Sequence, residues 1–289
     1  MFENVIVGVD GRPTGRDAIE LARHLVSPEG KLILANVHSG ELSPAHAITP
    51  GLTAQEQKAS HELLQRERAE AGLDADAAEL VSFLALSPGR GLHDLAEERG
   101  ADLLVVGSCG RGVLGRAMLG DDTRAALNGA PCAVAIAARG YAEHPLPLAS
   151  IGVGYDASPE SEAALVAARA VAAQQRAKLI ALEVVSIPAY SFTGLTPPAL
   201  GDTIEALVKD AKERLRALED VEGRAVYGLP GEELAELSGE VNLLVVGSRN
   251  YGPLRRLVVG STSDYLERHA RCSLLALPRR ARAEQPPAG

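Results

Sequence analysis

The sequence predicts an α/β protein of two tandem domains, each a doubly wound, parallel five-stranded sheet covered by helices on both faces. Three observations predict it. The segment Leu103-Leu104-Val105-Val106-Gly107-Ser108 returns as Leu243-Leu244-Val245-Val246-Gly247-Ser248, and a second glycine follows each copy at the same interval, Gly120 and Gly260. Near-continuous apolar strands alternate with helical patterns in both halves, as in parallel sheets buried on both faces. The length, 289 residues, allows two domains that each bury a core.

The elements repeat in order. Each half opens with a strand ending in aspartate, Asn4 to Asp10 and Ser150 to Asp156. A helix follows both. In the first, Thr14 and Asp17 resemble a capping box; in the second, Ser158 and Pro159 read as N-cap and first helical residue. A strand after lysine comes next, Lys31–Val37 and Lys178–Val184. Pro/Gly-containing loops (39–52 and 186–203) lead to charged helices (about 53–72 and 202–220) and to strands near 78–86 and 223–228. A short acidic helix precedes each Leu-Leu-Val-Val strand, and the final strands begin at Cys132 and Cys272. The copies are offset by 146 residues at Asp10/Asp156 and by 140 at Gly107/Gly247, so the length change falls in loops around the third strand. The domains are assigned to residues 1–140 and 147–279, with 280–289 a flexible tail and the boundary in the polar stretch Arg139–Pro145.

Composition excludes several classes. A net charge of −9 repels nucleic acid and anionic membrane, and the short run Arg279-Arg280-Ala281-Arg282 does not offset it. There is no apolar run of spanning length, and the first strand begins too early for a signal peptide, so a cytoplasmic protein is expected. Three cysteines without metal-ligand spacing suit a reducing compartment, with Cys132 and Cys272 read as buried structural residues. Scattered histidines form no metal motif.

Chemistry concentrates in two loops. The first reads Gly107-Ser-Cys-Gly110-Arg-Gly-Val-Leu-Gly-Arg-Ala-Met-Leu-Gly120-Asp121-Asp122-Thr123; the second reads Gly247-Ser-Arg-Asn250-Tyr-Gly-Pro-Leu-Arg-Arg-Leu-Val-Val-Gly260-Ser261-Thr262-Ser263. Glycines let main-chain N–H groups approach an anion, and Gly260-Ser261 opens a helix whose positive end attracts phosphate. In open α/β sheets the ligand lies at the carboxyl ends of the strands, where the winding reverses. With strand order 3-2-1-4-5, the flavodoxin-like winding, one cleft per half is framed by aspartate on one side and glycines on the other. A G-x-G-x-x-G match at Gly110, Gly112 and Gly115 is accidental as a dinucleotide fingerprint, because the next strand ends without an acidic residue. Neither a P-loop nor a serine-hydrolase elbow occurs: Gly30-Lys31 is followed by Leu32.

These landmarks resemble the universal stress protein family in tandem form, whose nucleotide-binding members carry G-x2-G-x9-G-(S/T) after the fourth strand and aspartate after the first. The similarity spans about residues 2–138 and 148–278. It implies that Asp10 and Asp156 lie near the adenosine, that main-chain groups of Val37 and Val184 meet adenine, and that the loop residues from Gly107 to Thr123 and Gly247 to Ser263 surround ribose and phosphates. The implied ligand is ATP or another adenine nucleotide, and a Mg²⁺ accompanying it would lie near Asp10, Asp121 and Asp156. Both copies depart from the pattern. Asp121 stands where serine or threonine is expected; a carboxylate about 5 Å from phosphate costs roughly 3 kcal/mol at an effective dielectric near 20, a sign that Mg²⁺ would reverse. Asn250 replaces the middle glycine of the second copy, which keeps Ser261 and Ser263 and adds Arg249, Arg255 and Arg256.

The second half is the better phosphate site on this reading. The implied function is nucleotide binding in stress adaptation or signalling, regulatory rather than catalytic, with at most slow ATP hydrolysis. The alternative is a nucleotide-independent interaction module with empty clefts. The last strand of each half is expected at a sheet edge, which invites pairing of the two domains about an approximate twofold, and a homodimer is a further possibility.

Overall fold

The computed structural model describes residues 2–38, 52–108, 121–186, 197–248 and 261–278. The first half runs β1 (Phe2–Gly8), α1 (Pro13–Leu25), β2 (Val26–His38), α2 (Leu52–Glu70), β3 (Glu79–Leu84), α3 (Pro88–Arg99), β4 (Leu103–Gly107), α4 (Asp121–Leu127) and β5 (Ala133–Ala137). The second repeats it as β6 (Ser150–Gly154), α5 (Pro159–Gln175), β7 (Lys178–Val185), α6 (Pro197–Arg216), β8 (Glu222–Tyr227), α7 (Pro230–Leu237), β9 (Leu243–Gly247), α8 (Ser261–His269) and β10 (Ser273–Leu277).

Each half has the expected strand order, and the two sheets are one. The ten strands run β3-β2-β1-β4-β5-β10-β9-β6-β7-β8. All pairings are parallel except the seam, where β10 lies antiparallel to β5 with Leu275 opposite Ala135. The expected edges thus satisfy each other within one chain. Both faces are buried, which explains the apolar runs: on β4, Leu103 and Val105 enter one core while Leu104 and Val106 enter the other, and β9 does the same. Helices α1, α2, α5 and α6 cover the first face, and α3, α4, α7 and α8 the second. Each core continues across the seam.

Side chains reinforce the seam. Ser273 Oγ accepts from Ala138 N at 3.1 Å, and the Gln175 amide donates to His24 O at 2.8 Å. On the other face the Arg124 guanidinium lies 2.8 Å from Glu267 and 3.8 Å from Asp264. Positions 124 and 264 are equivalent in the repeat yet carry opposite charge, and Leu127 stands where the second half has the buried Glu267. Such a pair forms only between unlike halves.

Three elements differ from the sequence-based expectation. Helix α1 starts at Pro13 after Arg12, which makes no side-chain cap, so Thr14 and Asp17 do not form a capping box. Asp17 is instead buried, and its carboxylate accepts from Gly140 N and Ala142 N, both at 2.8 Å. Those N–H groups belong to the stretch read as a linker. It is strapped onto α1, with Tyr141 buried and its hydroxyl donating to Leu146 O at 2.9 Å. Strand β2 begins at Val26 rather than Lys31, because Val26 pairs with Phe2 before a register shift brings Lys31 opposite Asn4. Helix α6 starts at Pro197, inside the span read as loop, proline being well placed in a first helical turn. The Ser158 cap is present as expected: its Oγ accepts from Ser161 N at 3.2 Å, with Pro159 following.

Asp17→Ala leaves two strap N–H groups without their acceptor and is expected to lower unfolding free energy by about 2 kcal/mol, read from urea titration. Burial, outweighing Arg124, raises the Glu267 carboxyl above the ordinary glutamate value of 4.5. A raised pKa means the native state favours the protonated form, so this contribution is fully present below 4.5 and is lost as pH rises through the folded value. Glu267→Gln should remove that slope from the stability–pH curve, leaving a flatter curve above pH 4.5 than the parent chain gives.

Candidate functional site

Because β5 and β10 are antiparallel, the carboxyl ends of the strands in the two halves point to opposite margins of the sheet. Each half therefore has its own strand-end region. In the first, β2, β1 and β4 are adjacent and bring together Val37, Asp10 and Gly107; in the second, β7, β6 and β9 bring together Val184, Asp156 and Gly247.

The aspartates follow their strands and close turns. Asp10 Oδ1 accepts from Arg12 N at 3.0 Å, and Asp156 Oδ1 accepts from Ser158 N at 3.0 Å, the i to i+2 geometry of an Asx turn. Arg12 also lies 3.5 Å from the second oxygen of Asp10. Around Asp156, burial pushes the pKa up, but hydrogen bonds from Ser158 and Ser161 outweigh it and hold the carboxyl below its usual range. Both aspartates thus have a structural role that needs no ligand.

The glycines have one too. A Cβ on Gly107 would lie 2.1 Å from Thr14 O, and one on Gly247 would lie 2.6 Å from Glu160 O. These positions must be glycine for the first turns of α1 and α5 to cross the ends of β4 and β9. Beyond them stand Ser108 and Ser248, buried at 4% and 3% exposure, whose hydroxyls have no hydrogen-bond partner among the described residues. The reading from sequence passed over this pair, although its repetition was visible in the segment that revealed the duplication.

Among the other candidates, Asp121, Asp122 and Thr123 form the first turn of α4, and Ser261, Thr262 and Ser263 that of α8. Gly110, Gly120, Asn250 and Gly260 lie outside the described residues. Cys132 and Cys272 are buried, and burial pushes both thiols up to about 12, which makes them inert as nucleophiles. His93 is a core histidine bonded to Ala126 O at 2.7 Å. No group of three or more metal-ligating side chains occurs among the described residues.

A cleft of about 570 Å³ opens at the strand ends of the first half. It lies between the end of β2 (Asn36 to His38), one face of α2 (Glu56 to Leu63) and the β3–α3 turn (Ala85 to Pro88). Its size is that of a small-molecule pocket. Asn36 is fixed by donating from Nδ2 to Val9 O at 2.7 Å. The second half is built differently here: the place of Asn36 is taken by the buried Glu183, ion-paired to Arg214 of α6, and that of Val9 by Tyr155, whose hydroxyl donates to Glu162. Burial and then the Glu162 bond push the Tyr155 phenol up to about 12.

The fold is that of a tandem, doubly wound α/β protein. The chain belongs to the universal stress protein family, whose model matches residues 1–138 and again 148–278. Universal stress protein Rv2005c of Mycobacterium tuberculosis is 32% identical over 182 residues, which cover 61% of this chain and 61% of that relative. Universal stress protein Rv2623 of the same organism is 27% identical over 292 residues, covering 94% of this chain and 95% of the relative. A universal stress protein from Archaeoglobus fulgidus superposes with a TM-score of 0.67 at 16% identity, over 96% of this chain and 98% of that one, a likeness of fold. No described helix is long and apolar enough to cross a membrane.

Asparagine can keep an Asx turn that alanine cannot, which separates structure from ligand binding at Asp156. Asp156→Ala is expected to lower stability by about 1 kcal/mol while Asp156→Asn stays within about 0.5 kcal/mol of the parent, both read from urea titration.

Proposed function

We propose that the protein binds an adenine nucleotide, ATP foremost, and acts as a regulatory member of its family in stress adaptation. The observation that carries this reading is the strand-end cleft of about 570 Å³ containing Val37, the residue the family pattern associates with adenine, with Asp10 just past the end of the adjoining strand β1 and Gly107 at the end of β4 beyond it. On this reading ribose and phosphates extend from the cleft toward the loop that enters α4. The second half offers the serine-rich turn Ser261 to Ser263 at the start of α8 for phosphate, and Mg²⁺ would accompany the nucleotide near the aspartates. Hydrogen bonds from Ser158 and Ser161 hold the Asp156 carboxyl below its usual range, so it offers a negative charge to such a group. The reading assigns no catalytic residue and allows at most slow hydrolysis. Free, buried Cys132 and Cys272 fit a reducing cytoplasm.

A second reading, an interaction module that needs no nucleotide, is favoured by the structural roles of Asp10, Asp156, Gly107 and Gly247, each explained without a ligand. Mass spectrometry of the purified protein and calorimetric titration with ATP decide between them. The first reading expects co-purified adenine nucleotide or saturable heat, and it expects Gly260→Asp to weaken the second-half component at least tenfold by placing a carboxylate beside phosphate. No nucleotide and no heat at millimolar ATP would eliminate the first reading.

A further inference from the structure

Among the described residues the ten-stranded sheet ends in two free edges, β3 and β8, and the two are built differently. On β8, Glu222 pairs with Lys178 and Arg224, and Arg224 reaches on to Glu240, so charge runs along that margin. Charged edges resist pairing with a further strand. On β3, the run Leu80-Val81-Ser82-Phe83-Leu84 carries no charge at all, and Leu84 is 39% exposed. Among the described residues β3 pairs with β2 alone, which leaves its outer row of backbone groups open. A groove runs beside it, walled by Leu80 and Ser82 of the strand and by Lys58, His61 and Glu62 of α2. In that wall the Ser82 hydroxyl is buried without a hydrogen-bond partner among the described residues. A buried hydroxyl left unpaired costs free energy, so the edge lacks a partner in its backbone and in this side chain alike.

We propose that β3 docks a second copy of this chain, the two β3 strands pairing antiparallel about a twofold axis through Ser82 and joining two ten-stranded sheets into one. Three features select a second copy. In this register Ser82 faces Ser82, so each hydroxyl supplies the hydrogen-bond partner the other lacks, and Leu80 faces the exposed Leu84 of the second copy. Helix α2 packs on both β2 and β3, so a twofold normal to the sheet sets the two α2 helices antiparallel. They then lie about 10 Å apart, an ordinary interhelical distance. Lys58 and Glu62, one turn apart and 3.8 Å from each other, meet Glu62 and Lys58 of the second helix, a stripe complementary in charge to itself. Finally, the charged β8 edge disfavours a head-to-tail β3–β8 contact, so association closes at two copies instead of running on as a filament. This surface is separate from the β5–β10 seam and does not depend on the nucleotide reading.

Sedimentation velocity of the full chain across the micromolar range is the test, and a monomer–dimer equilibrium is the expected result. Leu84→Lys places a charge against Leu80 of the second copy and is expected to weaken dimerisation at least tenfold. Lys58→Glu and Glu62→Lys each set like charges across the axis twice and should weaken it about three- to tenfold. The double variant exchanges the charges and should return to within about twofold of the parent. Both side chains are mostly exposed, so the fold tolerates either change. Disulfide trapping in a Cys109→Ala background reads the register, Cys132 and Cys272 being buried. Opposed Cα atoms of an antiparallel pair lie about 4.5–5.5 Å apart, within disulfide reach, so Ser82→Cys should cross-link. Glu79→Cys, three residues from the axis and so about 20 Å from its mate, should not. A monomer throughout overturns the inference and leaves the edge to a segment of another protein. A dimer indifferent to Leu84→Lys and to the charge reversals overturns it by placing the interface on another face. Assemblies larger than a dimer, or cross-linking through Glu79→Cys instead of Ser82→Cys, overturn it as well.

Discussion

The antiparallel pairing of β10 with β5 is the constraint on which the rest of the molecule depends. Each half alone would end in an apolar five-residue edge strand, Ala133–Ala137 or Ser273–Leu277, with unpaired backbone groups on one side. Joined, the two strands become the centre of a ten-stranded sheet and let both cores run through from one half to the other. The same pairing sends the two sets of strand ends to opposite margins. The two strand-end regions therefore lie apart, one at each margin.

Divergence between the copies has followed that arrangement. At the seam, Arg124 faces Asp264 and Glu267, a heterotypic contact that two identical halves could not make. At the strand ends, Asn36 of the first half, bonded to Val9 O, is replaced in the second by Glu183 paired with Arg214, and Val9 by Tyr155, whose hydroxyl donates to Glu162. At the loops the first copy carries Asp121 at the helix start and the second carries Ser261.

Much of the fold was legible because local and global signals coincide in it. A doubly buried parallel strand must be apolar at every position, and Leu103 to Val106 and Leu243 to Val246 are. Asp17 was misread for the opposite reason. Its spacing from Thr14 imitates a helix start, while its true partners, Gly140 and Ala142, lie more than 120 residues away and leave no local trace. Gly107 and Gly247 were legible as special residues but not as packing residues, since the carbonyls they must clear belong to α1 and α5. The polar cleft wall was hidden for a related reason: Ser60 and His38 sit in different elements, and only the docking of α2 onto β2 brings them together.

Hydrogen–deuterium exchange of the full chain, with and without saturating ATP, tests the central claim most directly. A base held in the first-half cleft must slow exchange of the amides at residues 36–38 and 85–87, which form its walls, while the seam strands β5 and β10 stay unchanged. Protection confined to those walls is the predicted result. Unchanged exchange there in ATP-saturated protein would contradict the account.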